Sequence, residues 1–112
     1  MEGYFLDLES MFEALAKSPD LAPFQTLVGR LDAYDQEHGS DLVRTLRAFF
    51  AANANASEAA DRLYLHRNSL SYRLSRIAEI TALDLKDHRA RLALQLGLLT
   101  TERSTNDEDE RP

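Results

Sequence analysis

"HRNSLSYRLSRI", residues 66–77, decides how this chain is read. Leu70, Leu74 and Ile77 recur at helical spacing. With Leu70 at the origin and about 100° per residue, Leu74 falls at about 40° and Ile77 at about −20°, so the core direction is well defined. On the same wheel Tyr72 falls at about 200°, Arg76 at about 240°, Ser69 at about 260°, Glu79 at about 180° and Asn68 at about 160°. A tyrosine, an asparagine, serines and an arginine thus gather on the face turned away from the core, preceded by Arg67.

The segment just before it explains the pattern. Ala59 and Ala60 are small enough for two helices to cross closely, and Leu63 and Leu65 flank a tight turn. A small pair, a short turn and then an apolar residue on every turn of a second helix form the helix-turn-helix pattern. In that unit the second helix enters the major groove and its first residues meet base edges. Asn, Ser, Tyr and Arg suit that position, because they donate to phosphates and read bases.

The rest of the chain reads as helix as well. Phe5, Leu8, Met11, Phe12 and Leu15 mark an amphipathic helix over residues 4–17, ended by "SPD". A second helix starts near Pro23, with Phe24, Leu27, Val28, Leu31 and Tyr34 as its stripe, and closes at Gly39 in a left-handed position. Ser40 or Asp41 is expected to cap a third helix, which buries Leu42, Leu46, Phe49 and Phe50 and stops at "NAN", 53–55. Ser57 is expected to open the short helix "SEAADRL", and the quoted helix runs to about Ile80. After the loop "TALDLKD", Asp87 caps a last helix in which Leu92, Leu94, Leu96, Leu98 and Leu99 are mostly buried. The tail from 101 to 112 is polar and aperiodic, and is expected to be disordered. The fold class is all-α: a small bundle of about six helices containing a helix-turn-helix. Residues 1–39 form connector helices, 40–100 the helix-turn-helix domain with turn and recognition helix over 57–80, and 101–112 an acidic tail.

Net charge hides the local signal. The 112 residues carry −6, but residues 62–91 hold seven Lys/Arg against three Asp/Glu, net +4, while residues 1–61 carry four against eleven, net −7. A basic block inside an acidic chain marks a polyanion-facing surface. The absence of cysteine excludes a disulfide framework, a thiolate metal site and a cysteine nucleophile. No apolar run reaches the ~20 residues of a membrane span, and the N-terminus is acidic rather than that of a secretory signal, so a cytoplasmic location is expected. His38, His66 and His88 lack ligand spacing, and no Gly-rich phosphate loop or Ser-His-acid arrangement is present. No catalytic residue, cofactor or metal is therefore expected. His66 is expected to start the recognition helix with a local hydrogen bond.

"NANASEAADRLYLHRNSLSYRLSRIAEITALDLKDHRARLALQLGLL", 53–99, resembles the C-terminal DNA-binding domain of PucR/CdaR-type bacterial regulators, and "AADRLYLHRNSLSYRL" is similar to the Fis-type helix-turn-helix. The likeness covers roughly residues 20–100. It implies a sequence-specific module for double-stranded DNA and a larger parent regulator whose sensory region, absent from this chain, would bind any effector. A homodimer is expected separately, because the stripes of the first helix and the Leu-rich last helix hold more apolar surface than a small core absorbs. The residues expected at DNA are Arg67, Asn68, Ser69, Ser71, Tyr72, Arg73 and Arg76. Arg67 suits guanine. Asn68 suits adenine or a helix cap, and Arg73 lies at the core border, within reach of a phosphate. The chain departs from the family in lacking basic residues at Ser71 and Ser75. It also has Tyr64, Ala54 and Ala82 where glycines are usual. The lost charges and the acidic tail leave a protein-interaction or dimerisation module on the same fold as the alternative.

Overall fold

The computed structural model describes residues 7–109, with side chains through Thr101. Six α-helices follow in order: α1 (Leu8–Ala16), α2 (Ala22–His38), α3 (Leu42–Ala51), α4 (Ala56–Arg62), α5 (Arg67–Thr81) and α6 (His88–Asp109). A single 3₁₀ turn, Pro19–Leu21, separates the first two. No strand occurs among the described residues, and the all-α expectation stands.

One core joins α2 to everything after residue 40. Val28 and Leu31 of α2 pack with Leu42, Leu46 and Phe49 of α3, Ala59 and Ala60 of α4, Leu70 and Ile77 of α5, and Leu94 and Leu98 of α6. Burial of the larger of these side chains is worth about 1.5–3 kcal/mol each, so this cluster dominates the stability of the domain. The broadest helix pairing is α2 on α6. Gly97 permits it: a Cβ built there would collide with the Phe24 carbonyl oxygen and lie 2.7 Å from Val28 Cγ2.

Several local expectations are corrected. Asp41, one of the two expected residues, occupies the N-cap of α3, but its side chain makes no capping hydrogen bond. Asp35, reaching over from α2, accepts from Leu42 N (2.8 Å), Val43 N (3.0 Å) and Ser40 Oγ (2.5 Å). A carboxylate from the preceding helix thus satisfies the first free N–H groups of α3 and welds the turn between the helices. Ser57 does not open α4. Asn55 is its cap, accepting from Glu58 N at 3.0 Å, so Ser57 lies inside the helix. Asp87 does cap α6, accepting from Arg89 N at 3.0 Å.

The first helix runs 8–16 from an Asp7 cap and buries no residue. Residues 4–6 of the expected helix lie outside the described residues. Leu92, expected inside, is exposed, because α6 presents Leu94 and Leu98 to the core instead. The backbone of α6 stays helical to Asp109, into the segment expected to be disordered. No Gly or Pro interrupts 98–109, so nothing in the sequence forces a stop there. Residues 110–112 of that tail lie outside the described residues.

Candidate functional site

The unit that presents a surface outward is α4, a tight turn and α5. Ala59 and Ala60 are buried, and their small side chains let α5 cross closely. The turn closes as a Schellman motif: Leu65 N donates to Ala60 O (2.9 Å) and Tyr64 N to Asp61 O (3.1 Å). Tyr64 takes the left-handed conformation this motif requires, φ 57°, with its ring almost fully exposed. Leu63 and Leu65 pack on the core from either side of it. His66 then caps α5 by accepting from Asn68 N through Nδ1 at 3.0 Å, as expected of it. That bond assigns the cap to His66 and leaves the Asn68 side chain uncommitted to capping.

α5 buries Leu70 and Ile77 as expected, with Thr81 beside them, while Leu74, the third residue expected inward, is half-buried against the core. Arg67, Asn68, Ser69, Ser71 and Tyr72 are all exposed, gathered over the first two turns. Among the described residues the Arg67 guanidinium has no hydrogen bond or ion pair and stands free at the helix start. The two other arginines of the set are engaged. Arg73 donates from Nη1 to Thr45 Oγ1 of α3 at 3.2 Å, and the buried Thr45 hydroxyl itself donates to Asp41 O at 2.7 Å.

Arg76 is held more fully. Its Nη2 donates to the Tyr72 hydroxyl at 2.8 Å and its Nη1 pairs with Glu79 at 3.2 Å. The guanidinium carbon also lies 5.5 Å from the Tyr72 ring centroid and 5.9 Å from that of Tyr34 on α2. The hydrogen bond to Tyr72, then the nearby Tyr34, Tyr72 and Glu79, raise the Arg76 pKa, so the group stays charged. Farther back, Arg62 pairs with Glu58 of its own helix at 2.8 Å. A shallow groove runs beside α5, lined by Asn68, Ser69, Tyr72, Arg73 and Arg76 on one wall and by Tyr34, Ser40 and Asp41 on the other.

All seven residues expected from the sequence therefore lie on α5, five displayed outward and two tied to neighbouring side chains. Thr45 and Tyr34, which hold those two, were not foreseen. The stripe of α2 placed Tyr34 among core residues, and nothing in the spacing of Thr45 separates it from other small helical residues.

Residues 42–100 match the family described as the PucR C-terminal helix-turn-helix domain. The chain is 39% identical over 69 residues to the proline-responsive transcriptional activator PutR of Bacillus subtilis, covering 62% of this chain and 17% of the relative. It is 37% identical over 71 residues to the DNA-binding transcriptional activator AdeR of the same organism, covering 63% and 17%. To the carbohydrate diacid regulator of Escherichia coli it is 46% identical over 57 residues, covering 51% and 15%. The chain thus spans about a sixth of the length of these curated relatives. No solved structure matches it at a comparable level.

Proposed function

Because this chain belongs to the family of PucR C-terminal helix-turn-helix domains, we propose that it is the sequence-specific DNA-binding module of a bacterial transcriptional regulator, with α5 lying in the major groove. The observation that carries this is the start of α5, where Arg67, Asn68, Ser69, Ser71 and Tyr72 are exposed together over the first two turns of a capped helix. The packed core behind α5 and the His66 cap at its start hold the backbone that carries them. Arg67 pairs with guanine through two parallel donors, and Asn68 reads adenine. Ser69 and Ser71 donate to phosphates, Tyr72 and Arg76 contact the groove or the backbone, and Arg73 reaches a phosphate from the border of the core.

Two copies bind as a homodimer, placing their α5 helices about 34 Å apart on one face of the duplex. The unburied stripe of α1 supports this, since Leu8, Met11, Phe12 and Leu15 are all exposed, as is Leu92 of α6. The parent protein is a soluble cytoplasmic regulator whose effector binds a sensory region outside this chain. No described helix is long and apolar enough to cross a membrane.

The test is binding to a pool of random duplexes across a salt series, with Arg67→Ala alongside. An enriched motif that Arg67→Ala relaxes by roughly 1–3 kcal/mol supports direct readout. Absence of binding at low salt sinks it and leaves the protein-interaction module, for which the exposed stripe of α1 is the observation in favour. Sedimentation that gives a monomer mass at every concentration removes the dimer.

A further inference from the structure

We propose that Tyr34, which lies on α2 outside the helix-turn-helix, is a positioning residue for DNA recognition: it holds Arg76 against Tyr72, so that the Tyr72 hydroxyl meets DNA as a hydrogen-bond donor. The proposal rests on the DNA-binding reading above and adds a residue and a polarity to it.

Arg76 of α5 lies within reach of two rings, its guanidinium carbon 5.9 Å from the Tyr34 centroid and 5.5 Å from that of Tyr72. Tyr34 is itself pinned: its ring stacks on His38 at 4.0 Å with the ring planes 17° apart, and it packs against the core. The Arg76 Nε is shielded from solvent without a hydrogen-bond acceptor. The ring contacts, with Tyr72 and Glu79 at the two terminal nitrogens, therefore set this side chain's position.

The consequence falls on Tyr72, which is 62% exposed and points outward. A phenol has one O–H to give and lone pairs to receive. Arginine has five donors and no acceptor, so the 2.8 Å contact has a single possible direction: Arg76 donates and Tyr72 accepts. The Tyr72 proton is then turned away from Arg76, toward solvent. A charged donor on the oxygen polarises that O–H and strengthens its next bond. Its complement on DNA is an acceptor, either a phosphate oxygen or the N7, O6 or O4 edge of a base.

The experiment is equilibrium binding of the full chain to a duplex selected from the random pool, read by fluorescence anisotropy, with thermal melts of every variant. Tyr72→Phe, Arg76→Met and Tyr34→Leu are each expected to weaken binding roughly three- to tenfold, and Tyr34→Phe, which keeps the ring, less than about twofold. Tyr34→Leu placed on Arg76→Met should add nothing, a coupling that loss of α2 packing alone would not produce. If Tyr72→Phe weakens all sequences equally, the acceptor is a phosphate; if one motif position relaxes, it is a base edge. Wild-type affinity in Tyr34→Leu, or a loss that adds fully to that of Arg76→Met, overturns the proposal. Should the wild type bind no duplex, the DNA reading falls with it. The Arg76 Nε–H resonance, compared between wild type and Tyr34→Leu, still reports whether the clamp itself exists.

Discussion

Three positions at which the family resemblance leads one to expect glycine carry Ala54, Tyr64 and Ala82, and all three have left-handed backbones, φ 63°, 57° and 60°. For an L-residue with a Cβ this conformation is unfavourable by roughly 1–2 kcal/mol. Glycine removes that penalty but gives back roughly 0.5–1 kcal/mol through the freedom of its unfolded state. The methyl of Ala82 is exposed and the ring of Tyr64 is 95% exposed, so replacing either forfeits almost no buried surface. Ala82→Gly and Tyr64→Gly should each stabilise by about 0.5–1 kcal/mol. The two turns flank α5 and are separated by its length, so the double variant should gain about 1–2 kcal/mol. That corresponds to a melting-temperature rise on the order of 4–10 °C for a domain of this size. Ala54→Gly should gain less, because Ala54 packs against the core and its methyl is partly buried.

Helical circular dichroism followed through thermal and urea unfolding measures each difference, and the urea slope checks that surface exposure on unfolding is unchanged. Ala82→Val serves as the opposite control, since a β-branched residue with positive φ is a true outlier and should destabilise by at least about 1 kcal/mol. If Ala82→Gly and Tyr64→Gly instead destabilise by the amount typical of glycine in a helix interior, the helices do not end where described. The turn geometry that aims α5 would then be wrong.

Three further outcomes are expected. Asp35→Ala should destabilise by about 2 kcal/mol in urea unfolding, because it strips the cap from two α3 N–H groups, whereas Asp41→Ala should lose less. Gly97→Ala should destabilise by roughly 1–3 kcal/mol, since its Cβ meets the Phe24 backbone, while Gly29→Ala, with open space around it, should be neutral or stabilising. Ser71→Arg, which restores a charge to the outer face of α5, should steepen the salt dependence of DNA binding by about one phosphate contact; an unchanged slope would place position 71 away from the backbone.

What could be read from the sequence follows from how each signal is encoded. The inward faces of α3 and α5 obey helical periodicity, and Leu42, Leu46, Leu70 and Ile77 are buried as expected. The helix-turn-helix rests on contacts a few residues apart, Ala60 to Leu65 and His66 to Asn68, which spacing rules reach. Asp35 escaped because it caps a helix seven residues ahead, across a turn whose nearer candidates, Ser40 and Asp41, were plausible on local grounds. Periodicity located α1 and its apolar stripe, which this chain leaves unburied. A hydrophobic repeat says that a face prefers cover and does not say that this chain supplies it. Tyr34 and Thr45 were missed because their roles depend on Arg76 and Arg73, side chains far along the chain, and no local pattern encodes such a meeting.

The same contacts bear on how an acidic chain presents itself to a polyanion. Of the arginines in the basic block, Arg62 is neutralised by Glu58, Arg76 is shared among Glu79 and two tyrosine rings, Arg73 is turned to Thr45, and Arg91 donates to the Leu85 carbonyl. Arg67 alone among the α4 and α5 arginines is free of hydrogen bonds and ion pairs to the described residues. These contacts hold the side chains in place without removing their charge, apart from the ion pairs to Glu58 and Glu79, and on the proposed reading the neutral donors Asn68, Ser69, Ser71 and Tyr72 share the contact with Arg67. Neutral contacts release no counterions, so they add affinity without steepening the salt dependence. They also demand closer positioning than a long cationic side chain, because a hydroxyl bond weakens steeply outside its narrow range of distance and angle. That demand gives a physical reason for the rigid mounting of this face: the His66 cap, the left-handed Tyr64 turn, and the clamp that joins α5 to α2 through Arg76.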